Sequence, residues 1–177
     1  MKKLILLLTL VVSSFTTVYS QQKLQCDNKK STVSYAMNHP LHAWKAVNNE
    51  VKSVVLLNQQ KNITQVAVII KIASFDSKNA NRDSHVIEAT EALLYPTITF
   101  SSTSIKQLGN ELSVKGNLTF HGVSKVIVFK AITKSKNSKL KVTGDFIVKM
   151  SEFKIDPPTL MGIAVDDEIT INFSIVY

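Results

Sequence analysis

Two alternating segments meet at a His-Gly corner, and this junction constrains the fold more than any other feature of the chain. Leu112, Val114, Leu118 and Phe120 share one parity. In an extended backbone they project to one face, while Ser113, Lys115, Asn117 and Thr119 project to the other. The alternation stops at His121-Gly122 and restarts as Val126-Ile127-Val128-Phe129, with the glycine supplying the backbone freedom that a sharp reversal needs. A hairpin with one apolar face has to bury that face. Repeated along a chain, such hairpins point to a sheet curved around an apolar interior rather than to a catalytic cleft.

The pattern does repeat. Val33, Tyr35 and Met37 alternate with polar or small partners between Ser31 and Asn38, and His39-Pro40 breaks that strand. The segment Leu41 to Ala46 carries Trp44, the single tryptophan, and Val47 to Leu57 reads as strand again. Val66, Val68, Ile70 and Ile72 form a further stripe; Ala67 and Ile69 on its other parity predict that both faces are covered over part of the length. Leu140, Val142, Gly144, Phe146, Val148 and Met150 form one face of a long strand, and Ile169, Ile171, Phe173, Ile175 and Tyr177 do the same in the last one. The spacing predicts one helix, Ala80 to Ala92, capped by Asn81 or Asp83. Pro96 then opens the strand Thr97 to Thr103, Gly109-Asn110 marks a turn, and Ser151 to Ile155 reads as a helical turn. Pro157-Pro158 and Gly162 enforce an irregular crossing. The residues thus predict an all-β chain of about eight antiparallel strands with one short helical insertion, as a sandwich or a closed barrel.

At the amino terminus, Lys2 and Lys3 precede an apolar run from Leu4 to Val12 and a small-residue exit at Val18-Tyr19-Ser20. This is the form of a secretory signal peptide, with cleavage after Ser20, and it predicts an exported chain, periplasmic or secreted. Cys26 lies well past the apolar run behind Gln25, which argues against a lipid anchor there. Residues 21–30 read as a flexible terminus and 31–177 as one domain. The single cysteine allows no internal disulfide, so stability rests on packing. The formal charge of +8 is carried largely by lysines at alternate strand positions. That reads as a solvated basic surface, with attraction to anionic lipid headgroups or pyrophosphates as the sharper alternative; nucleic acid is no natural partner for an exported chain.

Candidate chemistry is sparse. His39 and His42 are close in sequence, but a metal site would need further ligands from distant segments, so no metal is expected. His121 reads as ordering the corner through its ring nitrogens. Asp166, Asp167 and Glu168 read as a solvated turn, with no partner base for acid–base catalysis. No serine sits in a Gly-x-Ser-x-Gly setting, and the Asn-x-Ser/Thr sequons at Asn62, Asn117 and Asn172 read as chance.

Three local patterns in this order resemble a known family. Asn81-Arg82-Asp83-Ser84-His85-Val86 followed by Tyr95-Pro96-Thr97-Ile98-Thr99-Phe100 is similar to an Asp-x-His helix and Pro-Thr-Ile strand. Gly116-Asn117-Leu118-Thr119-Phe120-His121-Gly122-Val123-Ser124-Lys125 is similar to a Leu-Thr-Ile-His-Gly-Val-Thr-Lys corner. Met150-Ser151-Glu152-Phe153-Lys154-Ile155 leading to Val165-Asp166-Asp167-Glu168-Ile169-Thr170-Ile171 is similar to Arg-Ser-Asp-Phe-Gly-Ile and Gly-Asp-Glu-Val-x-Ile segments. Together they resemble the YceI-like proteins over roughly Ser31 to Tyr177. The chain departs from the pattern at Val126, where proline is usual, at Met150 for arginine, at Lys154 for glycine, and in the segment from His39 to Trp44.

The resemblance implies an eight-stranded antiparallel barrel like that of the lipocalins, holding a long isoprenoid chain. In such a barrel, inward parity makes Tyr35, Met37, Val68, Ile70, Phe120, Val142, Phe146 and Phe173 the expected contacts of an apolar tail, with His85, and with it Arg82 or a lysine, near a polar head at the mouth. The expected function is non-enzymatic: binding or carrying a polyisoprenoid lipid, without cofactor, with transient membrane contact allowed. Two alternatives stay open, a filled barrel serving as an interaction or stress-response module and an enzyme acting on a lipid headgroup.

Overall fold

The computed structural model describes residues 21–160 and 162–177; the expected signal segment lies outside the described residues. In chain order the elements are β1 (Gln22–Gln25), β2 (Thr32–His39), β3 (His42–Asn48), β4 (Lys52–Leu57), β5 (Ile63–Lys71), β6 (Phe75–Asp76), α1 (Ala80–Ala89), β7 (Thr97–Leu108), β8 (Glu111–Phe120), β9 (Val123–Lys136), β10 (Lys139–Lys149), β11 (Thr159–Leu160), β12 (Ile163–Ala164) and β13 (Glu168–Val176). All pair antiparallel. Eleven strands make one sheet in the order β1-β4-β5-β7-β8-β9-β10-β13-β2-β3-β6, and β11 and β12 form a separate small hairpin.

This sheet curls into a half-barrel around an apolar interior, and the chain itself joins its two ends. β3 leads through residues 49–51 into β4, and β5 leads through the 3₁₀ turn Ile72–Ser74 into β6. Because β4 pairs with β5 and β3 with β6, the seam is crossed by two bent strands. Asn48, fully buried, seals it: its Nδ2 donates to the Lys71 carbonyl at 3.2 Å and its Oδ1 accepts from the Glu50 N–H at 2.8 Å. Counted along the bends, the long strands number the expected eight. The larger total arises because β1 and β6 are too short to show a period, and because residues 49–51 interrupt the run read as one strand from Val47 to Leu57. The amino terminus also differs from expectation. Within residues 21–30, Gln22–Gln25 is a strand paired with β4, and the Cys26 N–H donates to the Ser53 carbonyl at 2.9 Å.

Parity behaves as an alternating chain should. Leu112, Val114, Leu118 and Phe120 are buried, as are Val33, Tyr35 and Met37 of β2. One parity expectation fails: Ala67 and Ile69, on the outer face of β5, are exposed, because none of the described elements covers them on that side of the sheet. The helix is shorter than expected and is capped earlier. Asn79, not Asn81 or Asp83, accepts the Arg82 N–H at 3.0 Å. It ends at Ala89, where the Thr90 hydroxyl bonds back to the Val86 carbonyl at 2.6 Å and competes with continuation.

The His121-Gly122 corner is a two-residue hairpin turn, with His121 at φ 50° and Gly122 at φ 70°, the left-handed pair that matches the twist of the flanking strands. The Tyr95 ring covers Gly122, so a side chain there would collide with it. His121 Nδ1 donates to the Phe153 carbonyl at 2.9 Å, and Nε2 meets the Glu91 carboxylate at 2.8 Å, an ion pair when the imidazole is protonated. Phe153, wholly buried, sits in the 3₁₀ turn Ser151–Phe153. Asp167 holds that turn by accepting from the Ser151 N–H at 2.8 Å and the Ser151 hydroxyl at 2.6 Å. The three sequence motifs are thus one connected structure at one end of the barrel.

Candidate functional site

The interior holds a cavity of about 470 Å³, inside the roughly 300–1,000 Å³ range of ligand pockets. Its walls are the inward parities of the long strands: Val66, Val68 and Ile70 from β5, Val142, Phe146 and Val148 from β10, Ile169, Ile171 and Phe173 from β13. Phe100, Phe129, Phe146 and Phe173 form an aromatic wall, with neighbouring centroids 5.0–6.4 Å apart. Small residues make room for it. Gly116 lies against the Phe100 ring and Gly144 against the Phe173 ring, so each glycine gives the space of a Cβ to an aromatic.

Polar groups gather at one end. There α1 lies across the opening and lines it with Asn81, Arg82, His85 and Val86, facing His39 and His42 from the β2–β3 turn and Pro158 and Thr159 from the crossing. Arg82 lies 5.3 Å from the Trp44 ring centre, a cation–π contact that fixes the guanidinium over the entrance. His39 is buried and committed: its Nδ1 accepts from the Leu41 N–H and its Nε2 donates to the Ile163 carbonyl, both at 3.2 Å. His42 and His85 stay exposed at the rim. The far end is closed by Tyr177, whose hydroxyl bonds to Ser53 Oγ. Burial pushes the pKa of the Tyr177 phenol well above its usual range.

All nine residues expected around a ligand, Tyr35, Met37, Val68, Ile70, His85, Phe120, Val142, Phe146 and Phe173, line this one cavity, with His85 at the mouth and the others in the walls. Trp44, His39 and His42 also line it and were not among the expected contacts. Their signal was legible: β3 alternates through His42, Trp44 and Ala46. Reading His39-Pro40 as the end of strand structure hid that the chain reverses within two residues and pairs His39 with His42. Among the described residues there is no group of three or more His, Cys, Asp or Glu side chains placed to hold a metal ion. The acidic turn serves structure instead, since Asp167 is engaged by Ser151.

The pattern of the YceI-like domain matches residues 24–177. The chain belongs to the YceI-like family. It is 32% identical over 138 residues to the protein YceI of Salmonella newport, covering 74% of this chain and 72% of that one. Among solved structures it is similar to BcnA of Burkholderia cenocepacia, with a TM-score of 0.77 at 24% identity over 86% of this chain and 99% of that one. It also superposes on a polyisoprenoid binding domain from Saccharophagus degradans implicated in plant cell wall breakdown, with a TM-score of 0.71 at 11% identity over 89% and 98% of the two chains. At those identities the likeness shows the fold. In this YceI-like chain Lys154, standing where the family resemblance leads one to expect glycine, takes the left-handed conformation at φ 58° that glycine adopts readily.

Proposed function

We propose that this YceI-like chain binds and carries a long apolar lipid of the polyisoprenoid kind, with the tail in the barrel and the polar head at the mouth. The observation that carries this is the sorting of the cavity lining, apolar along the walls and polar at the entrance beneath α1. Burying a chain of methylene and methyl groups there is favourable by about 0.8 kcal/mol per methylene, offset in large part by ordering the chain. The likeness to a polyisoprenoid binding domain supports the same ligand class. An open cavity weighs against a barrel filled by its own side chains.

The mechanism is sequestration, without covalent chemistry. The signal-like first twenty residues support an exported protein at work in the bacterial envelope. Loading from a membrane is supported by Leu93 and Leu94, 92% and 72% exposed on the segment between α1 and β7 at the mouth end. Trp44, the only tryptophan and part of the cavity wall, gives a direct readout. Titrating delipidated protein with polyprenyl compounds should shift its emission saturably, whereas no saturable change and no bound lipid would count against the carrier reading.

A further inference from the structure

Two polar groups in the cavity wall, the Tyr35 hydroxyl and the Trp44 indole Nε1, are buried, and neither has a hydrogen-bond partner among the described residues. They stand on neighbouring strands. Tyr35 lies opposite Ala46 and Met37 opposite Trp44, so Tyr35 and Trp44 are diagonal neighbours on the inward face, both lining the cavity. The indole N–H lies beside the Tyr35 hydroxyl without being aligned into a hydrogen bond.

Rotation cannot satisfy both. An indole N–H only donates, so turning it onto the Tyr35 oxygen would leave the phenol proton still lacking an acceptor. A buried donor without a partner is costly, and among the described residues neither group meets an acceptor. The missing partner is therefore an acceptor atom. Its charge follows from the surroundings. The Tyr35 ring meets Phe75 edge-on at 5.2 Å, and burial pushes the phenol up to about 12. An ionised group is disfavoured in such a place. The guanidinium of Arg82 rests on the Trp44 ring, and the Asp83 carboxylate is turned to the Ser77 N–H at 3.1 Å.

We infer that Tyr35 and Trp44 together receive an uncharged carbonyl oxygen of the bound lipid, set just inside the mouth. This rests on the carrier reading and adds to it the chemistry of the head: a neutral carbonyl held by two donors, deeper than the rim where Arg82, His42 and His85 meet solvent.

The test compares geranylgeranylacetone, an uncharged isoprenoid ketone, with the tetraprenyl hydrocarbon lacking the carbonyl, in the full mature chain and in the variants Tyr35→Phe and Trp44→Phe. The readout is the ratio of the two affinities within each protein, whatever a substitution does to binding as a whole. The unsubstituted protein should favour the ketone by roughly tenfold, the worth of one to two buried hydrogen bonds, and each variant should lose most of that preference. The carbonyl stretch of the bound ketone should move to lower frequency in the unsubstituted protein and return toward its free position in the double variant. Equal affinities in the unsubstituted protein, or a ratio that survives both substitutions, would overturn the inference while leaving the carrier reading standing. If neither compound binds, the carrier reading falls and this inference falls with it.

Discussion

The Phe146 ring stacks on Phe129, with centroids 5.0 Å apart and planes 23° from parallel, and Phe173 meets Phe129 edge-on at 5.7 Å. These three rings come from β10, β9 and β13 and set the width of the cavity on that side. A larger ring at Phe146 has to extend into the cavity, since Phe129 blocks retreat. Phe146→Trp is therefore expected to lower polyprenyl occupancy several-fold with little loss of stability, measured by binding titration beside denaturant unfolding. Unchanged occupancy with lowered stability would place Phe146 in a filled core instead.

The same wall depends on Gly144. A Cβ there would stand 2.7 Å from Phe173 Cζ and 2.8 Å from the Lys130 carbonyl oxygen, and the backbone oxygen cannot yield as a side chain can. Gly144→Ala should cost about 1–3 kcal/mol, read from the denaturation midpoint. Trimming Phe173 to leucine in that background removes only one of the two collisions, so the recovery should be partial.

At the mouth end, Asp167 holds the turn that carries Phe153. Hydrogen bonds from the Ser151 hydroxyl and then the Ser151 N–H keep its carboxyl below the usual 3.8. A carboxyl with a lowered folded-state pKa contributes stability that is fully present above its unfolded value and is lost as pH falls through the folded one. Unfolding followed from pH 6 down to pH 2 should therefore show a decline beginning near pH 4, with a smaller decline in Asp167→Asn. Parallel curves for the two proteins would remove Asp167 from the acid response.

Much of this architecture could be read from residue order, for a physical reason. Inward side chains of a two-residue period report their face directly, so the walls at Val68, Ile70, Val142, Phe146 and Phe173 were legible wherever a strand was long enough to show several periods. Short elements carry no period. β6, two residues long, and the four-residue β1 owe their place to partners far away in sequence, Asn48 and Val47 for the one and β4 for the other. The helix cap at Asn79 was missed because three nearby residues of similar capping strength compete, and only the backbone geometry of the entering chain chooses among them. His121 was legible as a corner residue, whereas its partners Phe153 and Glu91 were not, since 32 and 30 residues separate them.

Leu93 and Leu94 face solvent at the end where the cavity opens. Burying a leucine side chain is favourable by about 2 kcal/mol, enough for brief attachment to a bilayer surface but not for anchoring. Substituting both by serine should slow lipid uptake from vesicles several-fold while leaving the equilibrium affinity for detergent-dispersed lipid as it was. Stopped-flow transfer from labelled vesicles measures the first, and titration in micelles the second. An unchanged transfer rate would remove these leucines from the loading step.

Native mass spectrometry of the purified protein, paired with solvent extraction and reloading by polyprenyl compounds, tests the carrier reading most directly. The cavity predicts one lipid per chain, either carried through purification or taken up on addition, and displaced when Phe146 is enlarged. A chain that flies free of lipid and fails to take up any polyprenyl compound would contradict it.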